Sequence, residues 1–251
     1  MGFLVKKEII WLSPFQKFFK SKLPIAGIPK SQKAYISKGV QEISEGYFVE
    51  GFEGKITGAY INKTPFKVYQ FCLYMTDVDN KDVCIQINMT SEKSRVTGYF
   101  TSLIGKLMNS KIDLSQTLKL YANQFQNKAK TKKFSSITVL QNGGSVNDTY
   151  VVYKKGEKPR SQNGLEEFKF PKEKENENPA DRIKDLSDFN GKIYGFYYKI
   201  AQGLVEKITE SVKTIQPVPK VNKNTNVAAP DVTQSTGGDF DDFNDVDDLP
   251  F

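Results

Sequence analysis

No histidine occurs among the 251 residues. Imidazole general bases, Ser-His and Cys-His nucleophile pairs and nearly every structural zinc pattern are therefore unavailable. The phosphate-cradling loop GxxxxGK[ST] is missing as well. One close group of carboxylates stands in the body of the chain, Asp77, Asp79 and Asp82, where a hairpin turn is expected, so turn chemistry accounts for it. What the chain holds in quantity is lysine, amide and aromatic side chains, with 12 Tyr and 18 Phe. Ammonium groups pair with phosphates and rings stack on bases, which is chemistry for holding a polyanion rather than for breaking bonds. We expect no enzymatic activity, no cofactor and no metal.

Charge is divided by region. The net charge is +7, and residues 238–251 (GDFDDFNDVDDLPF) carry six aspartates and no base, which leaves +13 on the rest. A basic body concentrates polyanions around it. The acidic end interleaves its aspartates with Phe240, Phe243, Val246 and Leu249. Its apolar groups are too few to offset the entropy of ordering, so a disordered tip is expected. Asp245, Asp247, Asp248, Leu249, Pro250 and Phe251 suit capture by a partner protein: ring in a pocket, carboxylates on Arg or Lys. Cys72 and Cys84 each lie inside an apolar run and read as buried thiols of a reducing compartment, hence a cytoplasmic location. No run of about 18 apolar residues is present to span a membrane, and the apolar patch at positions 9–12 is too interrupted to be a secretory signal.

The elements that must position these side chains can be read from periodicity. Residues 47–61 form a long strand whose Gly51, Gly54 and Gly58 mark bulges or a barrel corner. Residues 66–76 and 82–90 form two more strands around Asp79-Asn80, the latter alternating Val83, Ile85, Ile87 and Met89 with polar positions. A helix capped by Ser91 or Ser94 carries Val96, Phe100, Leu103, Ile104 and Leu107 at helical spacing. Strands at 116–126 and 133–141 follow. Strand, strand, strand, helix, strand, strand is the order of the OB-fold, a five-stranded Greek-key barrel. The fold expected is mainly β with added helices, the helix of the barrel lying between its strands 3 and 4. Residues 1–42 are an arm with stacking rings (Trp11, Phe15, Phe18, Phe19) and lysines, or an edge strand or short helix on the core. Residues 43–215 form the barrel domain, with an insertion at about 142–187 and a helix at about 188–214 whose apolar face packs on the barrel or dimerises. A flexible linker covers 216–237.

Barrels of this class bind on the face of strands two and three, framed by the loops between strands one and two and four and five. The first loop holds Lys63 beside Tyr60 and Lys67; the second holds Lys128, Lys130, Lys132 and Lys133. A two-residue Asp79-Asn80 turn pairs Val78 with Lys81 and places Lys67, Tyr69, Phe71, Gln86 and Asn88 on the binding face. A loop of three or five residues reverses that choice, because a one-residue slip flips every side chain. Tyr47, Phe48, Tyr150 and Tyr153 are further candidates for stacking, or else core.

Body, linker and the ending Asp247-Asp248-Leu249-Pro250-Phe251 resemble bacterial single-stranded DNA-binding proteins, whose acidic tips finish in aspartates, an aliphatic residue, Pro and Phe. The longer body looks like a phage- or plasmid-encoded relative. The resemblance implies sequence-independent binding of single-stranded DNA in replication, recombination and repair. It also implies a tip that docks polymerase, helicase or primase, and a possible homo-oligomer. A DNA-annealing or recombination-mediator protein is the alternative, and a metal-dependent nuclease a remote one.

Overall fold

The computed structural model describes residues 8–37, 40–91, 95–126, 133–152, 154, 157–172 and 178–215. Its strands are β1 (Ile9–Phe15), β2 (Phe18–Ser21), β3 (Ser31–Ser37), β4 (Val40–Val49), β5 (Gly51–Lys63), β6 (Tyr69–Thr76), β7 (Asp82–Asn88), β8 (Thr117–Gln126) and β9 (Lys133–Gln141), with short β10 (Gly144–Ser145), β11 (Val151–Val152) and β12 (Arg160–Ser161). The helices are α1 (Gly98–Leu107) and α2 (Pro179–Ile215). Ten strands join one sheet in the order β10-β9-β8-β5-β6-β7-β1-β2-β4-β3, while β11 and β12 form a separate ribbon. No described helix is long and apolar enough to cross a membrane.

The expected neighbours are made: β5 pairs with β6 and β8, β6 with β7, and β8 with β9, all antiparallel. The register shift between Ile56 and Gly58 puts a bulge in β5. A Cβ on Gly54 would stand 2.5 Å from the Thr76 carbonyl, so only glycine lets β6 approach there. Among the described residues β7 does not pair with β9. β1 lies parallel on the free edge of β7 instead, Trp11 opposite Cys84. The N-terminal segment contributes strands to the sheet, with β1 an interior strand between β7 and β2, and β4 and β3 extending the sheet beyond them.

α1 fills the interval between β7 and β9 and does the hydrogen bonding a strand would have done. Thr97 Oγ1 donates to the Asn88 carbonyl at the end of β7 (2.5 Å). On β9, Ser102 Oγ accepts from Ile137 N (2.6 Å) and Lys106 Nζ donates to the Ile137 carbonyl. Both backbone groups of the buried Ile137 on β9 are thereby satisfied, as a backbone removed from water must be. Thr97, rather than Ser91 or Ser94, caps the helix, accepting from Phe100 N. Val96 stays outside it, in a bridge with Thr90.

α2 starts nine residues before the expected Asp188. Asn178 caps it through Oδ1 to Ala180 N (2.9 Å), and Pro179 suits the first turn because its missing N–H has no intrahelical partner to lose. Phe189, Ile193, Tyr197, Ala201, Leu204 and Ile208 form its buried stripe. They join Phe100 and Leu103 of α1, Leu73 and Met75 of β6, and Leu118 and Leu120 of β8 in one core. Gly191, Gly195 and Gly203 have open space where a Cβ would stand, so they weaken the helix rather than permit close packing.

The turn after β10 buries a carboxylate. Asp148 Oδ1 accepts from Tyr150 N (2.7 Å) and Val151 N (3.0 Å) and lies against Gly105 of α1. Burial pushes its pKa up to about 6, opposed by those two N–H groups and by the Lys106 charge. A raised acid pKa means the folded chain holds the proton more tightly. The stability it contributes is present below the ordinary carboxyl range and is lost as pH rises through about 6. Asp148→Asn keeps the acceptor and removes the titration. The difference in unfolding free energy between variant and parent should therefore change by roughly 2–3 kcal/mol between pH 4 and 7, measured by urea unfolding at each pH.

Candidate nucleic-acid interface

The β6–β7 hairpin decides which side chains face outward. Its register pairs Thr76 with Asp82, Tyr74 with Cys84, Cys72 with Gln86 and Gln70 with Asn88. Asp77 closes on Lys81 by backbone hydrogen bond (3.0 Å), leaving a three-residue loop with Asn80 in the left-handed region at φ 58°. Asp77 Oδ1 accepts from both Asp79 N and Lys81 N, which fixes this longer turn. One residue more than a two-residue turn reverses the face. Phe71, with Leu73 and Met75, points into the core beside Val83, Ile85 and Ile87. It is 0 % exposed and packs on Phe100, so its assignment as a stacking residue is corrected.

The outer face belongs to Gln70, Cys72 and Tyr74 of β6 and to Cys84, Gln86 and Asn88 of β7. The bulge in β5 sets Tyr60 and Asn62 beside them, Tyr60 opposite Cys72 and Asn62 opposite Gln70. β1 adds Trp11 next to Cys84. Tyr60 and Tyr74 stack, with centroids 5.6 Å apart and planes 22° apart, and Trp11 meets Tyr74 edge-on at 6.3 Å. The three rings are half-buried. Gln70 Nε2 donates to Asn88 Oδ1 (2.9 Å), and Gln86 Nε2 reaches Cys72 Sγ (4.0 Å). Cys72 and Cys84 are buried beneath the rings and free. The Cys84 thiol is pushed up by its hydrogen bond to Cys72 and by burial, and burial also raises the Tyr60 and Tyr74 phenols. All three remain protonated and neutral at neutral pH. Asp82, the next residue on this face of β7, stands at the rim of the patch beside Thr76.

Other expected residues are scattered. Gln86 and Tyr60 lie in the patch. Lys67 stands in the β5–β6 turn at the end of the patch, where Thr64 Oγ1 accepts from Val68 N and Lys67 takes φ 62°, whereas Lys63, paired with Tyr69, belongs to the opposite face. Phe66 at the tip of this turn is 87 % exposed. Tyr69 faces the opposite side, half-buried against Tyr198 of α2 with Lys63 Nζ 5.5 Å from its ring centre. Tyr150 is a core residue, wedged on Phe196 and Tyr197, so it too is corrected. Phe48 packs between Phe15 and Phe18, and Tyr47 points to the other face of β4, opposite Ser21. Lys133 Nζ donates to the Ile36 carbonyl (2.9 Å), joining the β8–β9 hairpin to β3. Lys128, Lys130, Lys132, Tyr153 and the tip residues Asp245, Asp247, Asp248, Leu249, Pro250 and Phe251 lie outside the described residues.

A two-residue turn would point Tyr74 and Gln70 inward; with the longer loop their even numbering places them with Gln86. Trp11 carried no signal for this position, because nothing local says that residues 9–12 pair with β7.

The carboxylates of the hairpin are engaged as turn groups. Asp77 accepts two backbone N–H groups, Asp82 Oδ1 accepts from Thr76 Oγ1 (2.6 Å), and Asp79 faces Lys81 at 3.8 Å. Among the described residues no group of three or more His, Cys, Asp or Glu side chains could hold a metal ion. Compared with known proteins, the chain matches no family, no curated sequence and no solved structure.

Proposed function

We propose that this chain is a non-catalytic binding protein for single-stranded nucleic acid, built on an OB-type sheet. The observation that carries the reading is the outer patch of β5, β6, β7 and β1. Three rings and four amide side chains converge there, with Asp82 at the rim held by Thr76, on a body whose charge is +13 outside the tip. Rings of this kind accept any base on their faces, each stack contributing about 1–3 kcal/mol, and Lys67 in the adjoining β5–β6 turn is placed to contact phosphate. The order β9-β8-β5-β6-β7 with α1 between β7 and β8 supports the OB assignment, with α1 and β1 taking the edges that a closed barrel would pair.

We infer further that the chain binds single-stranded DNA in replication, recombination and repair, in the cytoplasm of a bacterial cell or an infected host. Its acidic tip would recruit a partner such as a polymerase, helicase or primase. Annealing of complementary strands uses the same stacking and phosphate contacts and is the second reading.

Trp11 is the single tryptophan and sits in the patch, so its fluorescence reports on occupancy. Titration with oligo-dT should quench it, with an affinity that falls as salt rises, and an equal length of duplex should bind far more weakly. Equal affinity for both forms would show that the body senses charge alone, and accelerated pairing of complementary strands would favour annealing.

A further inference from the structure

β1, β2, β4 and β3 carry a second set of rings on the same face of the sheet as Trp11, and the strands curl around it. In a flat sheet β1 and β3 would be about 14 Å apart, three strand spacings. Yet the rings of Phe15 on β1 and Tyr35 on β3 have centroids only 5.4 Å apart. Gln16 Nε2, in the β1–β2 turn, donates to the Ala34 carbonyl of β3 (3.1 Å), which holds the curl closed. The result is a cup. Phe15 is its buried floor, and Phe18, Phe48 and Tyr35 are its half-buried walls.

Two ammonium groups enter this cup. Lys33 Nζ lies 4.5 Å from the centre of the Phe18 ring and 5.9 Å from that of Phe48. Lys20 Nζ lies 5.6 Å from Phe15 and donates to Ser44 Oγ (2.5 Å). Neither is paired with a carboxylate among the described residues. Glu42, the acid on this face, is held by the Tyr35 hydroxyl (2.6 Å). Burial, then the charge of Lys22, holds the Lys20 ammonium below its ordinary pKa. A half-buried cation without a counter-ion carries a desolvation cost that ring faces offset only in part and that an anion would relieve. Rings beside two unpaired cations, on a face shared with the Trp11 patch, match a ligand that is anionic and has flat aromatic groups.

We infer that the cup formed by Phe18, Tyr35, Phe48, Lys20 and Lys33 is a second nucleotide subsite, taking a phosphodiester and its base from the single strand that crosses the Tyr60–Tyr74–Trp11 patch. The inference rests on the function proposed above. Trp11 and Phe15 lie on one face of β1, four residues and about 13 Å apart along the strand, so one strand of nucleic acid can reach both.

The test is photo-cross-linking of the full chain to an oligo-dT of about 20 nucleotides containing 5-iododeoxyuridine, with mapping of the linked residues. It is paired with affinity measurements on Lys20→Gln/Lys33→Gln. The parent protein should cross-link in the cup as well as at Trp11, Tyr60 or Tyr74. The double variant should lose the cup links, keep the patch links, bind roughly tenfold more weakly and lose about 1.4 from its salt slope. Should the double variant fold poorly, Lys33→Gln alone should show the same pattern with about half the change in slope. Links confined to the patch overturn the inference, whether or not affinity falls, since charge at a distance explains a fall without contact. A parent protein that neither binds nor cross-links anywhere instead overturns the function on which the inference depends.

Discussion

Tyr60→Ala combined with Tyr74→Ala should remove roughly 2–6 kcal/mol of affinity for oligo-dT, about thirtyfold at the least. The two rings stack on each other at 5.6 Å, and their carrier strands are joined by eight registered pairs from Lys55 to Lys63. Their outer surfaces are presented without a folding transition on binding, so little ordering entropy opposes the stacking of a base. Loss of both rings leaves Trp11 as the one ring of the patch, beside buried thiols and amides that hydrogen-bond but do not stack. Phe170→Ala is the matched comparison, removing an exposed ring near the start of α2 where it meets Arg182 and Phe189. That change should leave affinity within about twofold. Anisotropy with labelled oligo-dT measures both, and unfolding curves confirm that the folded state persists. If the double variant binds like the parent, or if Phe170→Ala is equally damaging, the patch is not the binding surface.

The second large effect concerns the seam between α1 and β9, and it separates two glycines that look alike in sequence. A Cβ at Gly98 would fall inside contact distance of the Ser135 carbonyl, which is backbone and cannot swing away. Gly98→Ala must push the first turn of α1 off β9. The Ser102–Ile137 and Lys106–Ile137 hydrogen bonds then stretch, exposing backbone groups that are otherwise satisfied only by this helix. Overpacking of this kind together with loss of buried hydrogen bonds should cost about 3 kcal/mol. Gly191→Ala, in α2 with nothing near its Cβ, should stabilise by about 0.5–1 kcal/mol through helix propensity alone. Urea unfolding of the two variants should therefore move in opposite directions. Movement in the same direction would mean that α1 does not close on β9 as described.

The same seam explains how a five-stranded order can be present without the pairing of its two outer strands. β9 shares its edge between α1 side chains at Ile137 and β10 at Leu140 and Gln141, and β7 gives its edge to β1. The N-terminal strands are thus part of the sheet that holds the patch, and they bring Trp11 within 6.3 Å of a ring 63 positions later in the chain, Tyr74.

What the sequence by itself determined was local. Alternation in β7, the strand–strand–strand–helix–strand–strand order and the buried stripe of α2 from Phe189 to Ile208 all follow from periods of 2 and 3.6 residues, which any solvent-facing element must obey. Charge, the lack of histidine and the wealth of rings likewise bounded the chemistry without a fold. Only the tertiary structure decided which rings are surface and which are core. Phe71 and Tyr74 stand on one strand, three residues apart and hence on opposite sides, and their fates were set by one extra residue in the Asp77–Lys81 turn. Tyr150 was claimed by α2, which reaches it from some 46 positions away through Phe196. Register and long-range packing are properties of pairs of segments, and a one-residue shift exchanges every inward side chain for an outward one.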